Sequence, residues 1–118
     1  MLGNTLTIND GTSRVLAKIN NDGYSSEYLF RDSTVQYVAR IRHSRTKATA
    51  TRPQYERHNF EVVKTVFATP STPQVDTKFY FVMEQEANNP NVALADSVCD
   101  LCIASTNSFL VDLLGWQN

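Results

Sequence analysis

The sequence has few of the residues from which disulfide frameworks and metal centres are built. It contains only two cysteines and two histidines. Cys99 and Cys102 have no further cysteine or nearby histidine, so a zinc site lacks ligands and a disulfide framework lacks pairs. We therefore expect two buried thiols, and a redox role for this Cys-x-x-Cys pair stays open as the alternative. We expect no metal and no cofactor.

Long hydrophobic runs are also missing. No stretch approaches the roughly 20 apolar residues of a membrane span. Met1–Asn4 leads straight into patterned sequence without a basic and apolar leader. We therefore expect a soluble protein, made in the cytosol, with no membrane partner. The composition of 42% hydrophobic and 19% charged residues is typical of a globular protein, and the length predicts one domain over residues 1–118.

A basic excess is missing as well, since the formal net charge is −1. This argues against a nucleic-acid-binding protein, because such proteins usually displace counterions with surplus Lys and Arg. The charge is unevenly placed, however. Residues 12–64 hold ten Lys and Arg against five Asp and Glu, whereas residues 65–118 hold only Lys78 against six acids. A basic middle region therefore remains a candidate for binding.

Alternation with a period of two predicts strands through most of the chain. Residues 1–20 read as a β-hairpin around the turn Asn9–Gly11, and residues 24–86 as an antiparallel sheet. The predicted strands are Thr5–Ile8, Val15–Ile19, Tyr24–Arg31, Thr34–Ser44, Tyr55–Ala68 and Asp76–Glu86. Between them, Arg45–Gln54 reads as a mobile loop, and Pro70 and Pro73 demand another because proline cannot donate to a β-ladder.

The predicted strand Thr34–Ser44 has two different faces. One face carries the apolar and histidine side chains of Val35, Tyr37, Ala39, Ile41 and His43. The other carries Gln36, Val38, Arg40, Arg42 and Ser44. The sheet is therefore expected to have one apolar face and one face that carries arginine.

Residues 89–115 change to helical periodicity. Asn89 followed by Pro90 is a start signal, and Ser105–Asn107 interrupts the pattern before it closes at Gly115. The two apolar stripes consist of Leu94, Val98, Leu101 and Cys102, then Phe109, Leu110, Leu113 and Leu114. The expected fold is α+β, an antiparallel meander followed by two C-terminal helices. Such short helices shield the apolar face best in an interlocked dimer, where each chain's helices lie across the other's sheet.

This order of parts resembles the levivirus-type coat proteins of single-stranded RNA bacteriophages over nearly the whole chain. The likeness is most specific in Tyr37–Arg42, Lys78–Glu84 and the ending from Asp96. It implies an interlocked homodimer with a continuous ten-stranded sheet, which assembles into an icosahedral capsid around single-stranded genomic RNA in the bacterial host cytoplasm. It also implies binding of an RNA stem-loop that represses replicase translation, and a loop near residues 68–75 that surrounds the symmetry axes.

The resemblance also implies which side chains face RNA. They are Arg40, Arg42, Ser44, Asn59, Glu61, Val63, Thr65, Lys78, Tyr80, Val82 and Glu84. Tyr80 matches a tyrosine that stacks on a base, and the arginines can grip phosphate. Val63 and Val82 stand where polar contacts are expected, and Glu61 and Glu84 are expected to repel phosphate. Nonspecific genome binding is therefore favoured over detailed base recognition.

Several of the residues singled out in the sequence also fit purely structural roles. Arg40 and Arg42 fit a solvated sheet face, and Tyr80 fits cross-strand packing. His43 and His58 fit satisfied or interface histidines better than catalytic ones. No nucleophile and base are spaced for catalysis, so an enzyme is not expected. A cellular nucleic-acid- or protein-binding α+β module is the alternative function.

Overall fold

A computed structural model describes residues 2–118 as a six-stranded antiparallel sheet followed by a helical segment. The strands are β1 (Thr5–Asn9), β2 (Ser13–Asn21), β3 (Ser25–Arg31), β4 (Val35–Arg45), β5 (Tyr55–Val66) and β6 (Val75–Glu86), and the helical segment α1 is Ala93–Leu114. Their order in the sheet is their order in the chain. The predicted hairpin and meander are confirmed, and predicted strand ends shift by at most two residues.

Aspartate side chains close the tight turns of the meander. Asp22 Oδ1 accepts hydrogen bonds from the backbone N–H groups two and three residues on, at 3.1 and 2.8 Å. Asp32 Oδ1 does the same at 2.7 and 2.8 Å. These hydrogen bonds hold the pKa of Asp32 below its usual value. Gly11 has a φ of 103°, which only glycine adopts without strain.

The hydrophobic core lies on one face of the sheet, which we call the apolar face. Its side chains come from alternate positions of the paired strands, so the period-two prediction for β4 is confirmed. The buried cluster consists of Leu16, Tyr28, Val35, Tyr37, Ala39 and Ile41. The opposite side, which carries Arg40 and Arg42, is called the arginine face.

The N-terminal hairpin curls over the apolar face. Leu6 and Ile8 of β1 pack against the buried cluster, and the Tyr28 hydroxyl donates to the Gly3 carbonyl at 2.9 Å. At the hairpin tip, Asp10 reaches Lys64 at 3.3 Å, although Lys64 lies on β5, three strands beyond β2. A register shift after Lys18 in β2 supplies the local bend that a β-bulge gives.

Asp10 fastens the hairpin tip, which makes the fold sensitive to acid. Its carboxylate accepts from the Tyr37 hydroxyl and contacts Lys64 and Arg14. The Tyr37 hydrogen bond, with smaller help from Lys64 and Arg14, lowers the pKa of Asp10. Because the folded-state pKa lies below the unfolded value of about 3.9, this stabilisation is present above about pH 4 and is lost as the pH falls further.

We expect Asp10→Asn to lower the melting temperature at pH 7 and to flatten the loss of stability below about pH 4. Thermal melts followed by circular dichroism across pH 2–7 would measure both effects. Asp100→Asn is the charge-matched control, because Asp100 makes no ion pair among residues 2–118. Equal acid slopes in the two variants would contradict this role of Asp10.

The segment α1 consists of two helical pieces. Ser105, Thr106 and Asn107 have φ of 51°, 57° and 63°, so the predicted interruption is confirmed. The predicted start of the first piece at Asn89 was wrong, and the piece begins at Ala93. Residues 87–89 instead form a turn at the end of β6. The N-cap residue is Val92, which makes no side-chain capping bond, so the capping role predicted for Asn89 is not filled by an asparagine; Asn91 Oδ1 instead accepts from the Ala93 N–H at 2.7 Å, one residue before the cap.

By length and composition alone, Ala93–Leu114 is apolar enough to cross a membrane. The prediction that no stretch approaches such a span was therefore wrong on composition. The interruption at 104–107 changes what this means, since neither helical piece reaches the roughly 20 residues that a span needs.

Candidate nucleic-acid interface and the uncovered apolar surface

Strand register brings the predicted RNA-facing residues together in rows across the arginine face. Each row crosses β4, β5 and β6, because the three strands pair without a shift. The rows are Arg40, Glu61 and Tyr80; Arg42, Asn59 and Val82; Ser44, Arg57 and Glu84; Val38, Val63 and Lys78; and Gln36, Thr65 and Asp76. Their common face is a property of the fold, while their contact with RNA stays a prediction.

Exposure differs along these rows. Tyr80 is 60% exposed, with Lys78 Nζ 5.8 Å from the centre of its ring, so one ring face is accessible beside a positive charge. Thr65 is only 8% exposed and has little surface for a ligand. A flat, exposed aromatic ring beside a cation is suited to stacking on a nucleic-acid base.

Glu61 acts as a counterion within the arginine face. Its carboxylate lies 2.7 Å from Lys78 Nζ and 3.7 Å from the Arg40 guanidinium. The hydrogen bond from Lys78, followed by the charges of Lys78, Arg42 and Arg40, lowers the pKa of Glu61. Glu61 therefore holds two cations in place, which is a more specific role than the phosphate repulsion expected from the sequence.

The remaining charges divide the arginines into two groups. Arg40 is paired on its other side with Glu27 at 3.5 Å, so its charge is compensated locally. Arg42 and Arg57 are exposed and make no ion pair within residues 2–118. Arg57 was missed in the sequence reading, although alternation along β5 places it on the face of Asn59 and Glu61. Arg31, which is exposed on the same face with its guanidinium 5.1 Å from the centre of the Phe67 ring, also makes no ion pair within residues 2–118.

Glu84 is also paired. Its carboxylate lies 3.8 Å from a guanidinium nitrogen of Arg52. Arg52 in turn stacks over Tyr55 at 4.5 Å, and so the β4–β5 loop is tied to the end of the sheet. The expected repulsion of phosphate by Glu84 is reduced by this pairing.

The apolar face is only partly covered. The hairpin shields its β3–β5 side, whereas Val75, Phe79 and Phe81 on β6 remain 53%, 57% and 41% exposed. No residue of α1 is buried, although Leu94 and the rest of its apolar stripe were expected to pack. Leu94 is 79% exposed. Two apolar surfaces of one chain therefore lack partners within the described residues.

The dimensions of the chain agree with this. Its radius of gyration is 17.4 Å, against about 13.5 Å expected for a compact chain of this length. Its accessible surface is 9034 Å², against roughly 6,500 Å² for a compact monomer of this mass. The excess is about the area that one subunit buries in an obligate dimer.

The outer edge of the sheet is equally open. β6 is 12 residues long and, within residues 2–118, pairs on one side only, with β5. Long unpaired edges carry free N–H and C=O groups that template pairing with another strand. β6 therefore offers backbone hydrogen bonds beside the uncovered apolar surface.

The cysteines lie on α1. Cys99 is exposed and Cys102 is partly exposed, and both are free thiols. The expectation of two buried thiols is wrong for the isolated chain, because α1 packs against none of the strands closely enough to bury its side chains.

Comparisons with known proteins agree with this geometry. The family model for the coat protein of phage phiCb5 matches residues 3–86. Among solved structures, a virus-like particle of bacteriophage AVE019 covers 95% of each chain at a TM-score of 0.68 and 12% identity. The match to the coat protein of bacteriophage EMS014 covers 86% of this chain and 72% of that protein, with a TM-score of 0.66 and 14% identity. A third match is to an unassembled virus coat protein dimer, described as a bacteriophage RNA-binding dimer. It covers 97% of this chain and 93% of that chain, with a TM-score of 0.53 and 13% identity. No curated protein sequence matches significantly.

Proposed function

The chain belongs to the phage phiCb5 coat protein family, and from this premise we propose that it dimerises, assembles into an icosahedral shell and binds single-stranded RNA on its arginine face. A coat protein is a structural component of the virion rather than an enzyme. The uncovered apolar surface of α1 and β6 is the observation that carries the proposal, because a shell protein needs such a surface and an independent monomer does not.

Dimer formation is supported by the position of the open surfaces. If β6 pairs with β6 of a second copy, one continuous sheet runs through both subunits and no long edge remains. The helical segment of each subunit then lies over Phe79 and Phe81 of the other, and the exposed apolar areas of both are removed from water. This arrangement explains why α1 projects away from its own sheet.

RNA binding is supported by the composition of the arginine face. In such a dimer the two β6 strands are central, so Lys78 and Tyr80 of both subunits form the middle of one continuous surface. Arg42 and Arg57, which make no ion pair within residues 2–118, supply positive charge on either side. Phosphate contacts of this kind give affinity without sequence preference.

Recognition of one RNA stem-loop, and through it repression of replicase translation, is the finer part of the proposal. It is supported by two copies of the exposed Tyr80 ring, related by the symmetry of the dimer, each able to stack on an unpaired base. Tyr80→Ala would then weaken binding to a preferred hairpin more than binding to random RNA.

The proposal is tested by expressing the full chain without a tag in bacteria. We expect closed particles of megadalton size in negative-stain micrographs, with an absorbance ratio at 260 and 280 nm that indicates packaged RNA. A chain that remains a small monomer in size-exclusion chromatography, without nucleic acid, would contradict the proposal and favour a binding module.

A further inference from the structure

The two histidines of the chain meet at one end of the apolar face. His43 of β4 and His58 of β5 are directly opposed in the strand register. Their Nδ1 atoms are 2.9 Å apart, and their rings are 5.0 Å apart at 70°. Two imidazoles this close share one hydrogen bond, in which one Nδ1 carries the proton and the other offers its lone pair.

A carboxylate lies beside one of the two rings. Glu56, two residues before His58 on the same strand face, places Oε2 3.4 Å from His58 Nε2. With the proton on His58 Nε2, on the side of this carboxylate, the His58 Nδ1 lone pair is directed at His43. Glu56 is held in turn by Arg45 at 3.3 Å. A histidine whose far nitrogen faces a carboxylate is the usual arrangement of a metal ligand.

The nitrogen positions fit a metal ion with little movement. Zinc–nitrogen bonds are about 2.0–2.1 Å long, so two nitrogens on one tetrahedral ion lie roughly 3.3 Å apart. The Nδ1 atoms are already 2.9 Å apart. A small rotation of two partly exposed rings opens the remaining few tenths of an ångström, and the His43 proton moves to its own Nε2.

Space for an ion and its water ligands is present beside the pair. A cleft of about 260 Å³ adjoins both rings and is lined further by Gly23, Tyr24 and Ser44, with Arg45 and Glu56 at its wall. Among residues 2–118, no group of three or more His, Cys, Asp and Glu side chains is arranged around one ion. The pair therefore offers two protein ligands and leaves two coordination positions open.

We propose that His43 and His58 bind a divalent transition-metal ion through their Nδ1 atoms, with Glu56 as the positioning residue. The ligand class follows from the donors, because imidazole suits Zn²⁺, Ni²⁺ and Cu²⁺, whereas Ca²⁺ and Mg²⁺ require oxygen. The bound ion links β4 to β5 near the end of both strands and so stabilises this end of the sheet.

The experiment is a calorimetric titration of the untagged, assembled protein with Zn²⁺ at pH 7.5. We expect about one ion per chain, and at least a tenfold loss of affinity in His43→Gln and in His58→Gln. Glu56→Gln should keep the stoichiometry and lose roughly tenfold or more in affinity. The double variant Cys99→Ser and Cys102→Ser should bind as the wild type does, which separates this site from thiol binding.

Electron paramagnetic resonance of the protein with bound Cu²⁺ tests whether the histidines coordinate the ion directly. The spectrum shows nitrogen hyperfine splitting when imidazoles coordinate Cu²⁺. The splitting should be present in the wild type and altered in each histidine variant, with particle formation and circular dichroism confirming that the variants fold. No Zn²⁺ binding at millimolar concentration, or affinity that changes only in the cysteine variant, would overturn the proposal. Neither outcome bears on the proposed coat function.

Discussion

Replacing Arg42 and Arg57 together with alanine is expected to leave the particles intact and to remove much of their RNA. Both guanidinium groups are exposed on the arginine face and lack a carboxylate partner within residues 2–118. Charge-assisted hydrogen bonds contribute about 1.5–3 kcal/mol each, so losing two weakens RNA binding by at least about 100-fold. The plot of log affinity against log salt should become shallower by about 1.4, or 0.7 per lost phosphate contact.

Two single variants serve as controls for this expectation. Arg40→Ala should have a smaller effect than Arg42→Ala, because Glu27 and Glu61 already neutralise the charge of Arg40. Glu61→Gln should act in the opposite direction. It releases Lys78 and Arg40 from their counterion, so RNA affinity should rise and the salt dependence should steepen.

Filter binding of dimers to single-stranded RNA at several salt concentrations measures affinity and slope. The ratio of absorbance at 260 and 280 nm measures the RNA retained in particles. If Arg42→Ala with Arg57→Ala binds RNA as the wild type does, the arginine face is not the main binding surface. The β4–β5 loop with Lys47 and Arg52 would then be the next candidate.

Placing an aspartate in the apolar stripe of α1 is expected to abolish the dimer. Leu101 is 48% exposed in the single chain, a large value for a leucine on a helix that must pack to be stable. Leu101→Asp loses about 1.5–3 kcal/mol of apolar burial in each subunit, and the buried carboxylate adds several kcal/mol more. Because symmetry repeats the change, dissociation should increase by a factor of more than about 10,000.

Cys99→Asp is the matched control, since it adds the same charge to the same helix at an exposed position three residues after Asp96, away from Leu94 and Leu101. It should dimerise and form particles as the wild type does. Analytical ultracentrifugation of capsid-free protein gives the dimer fraction, and electron microscopy gives the particles. Equal dimer fractions for Leu101→Asp and Cys99→Asp would show that α1 does not cover a partner.

The elements of the fold could be predicted from the sequence because they depend on local patterns. Alternation in Val35–Ile41 marks a strand wherever it packs, and Asp22 and Asp32 close turns through backbone groups only two and three residues away. The break at Ser105–Asn107 follows from poor helix formers in an apolar stripe. The start of α1 was misplaced because Asn89 and Pro90 have the pattern of a helix start, whereas the chain there forms the turn that ends β6 and the helix begins only at Ala93.

Only part of the candidate nucleic-acid interface could be predicted from local sequence patterns. Period-two alternation assigned each side chain to a face, so Arg42 and Tyr80 could be placed on one surface. Which residues stand beside each other depends on the register between strands, which alternation does not define. The pairing of Glu61 with Lys78, and the freedom of Arg57, follow from that register.

The sequence by itself determined the six strands, the interrupted helical segment and the division of the sheet into an apolar and an arginine-bearing side. Only the tertiary structure decided that the hairpin folds over the apolar side, that His43 meets His58, and that α1 turns away from its own sheet. The reason is physical. Strands, turns and helix breaks are set by interactions between residues close in the chain, whereas burial and ion pairing depend on contacts between distant segments, which no local pattern encodes.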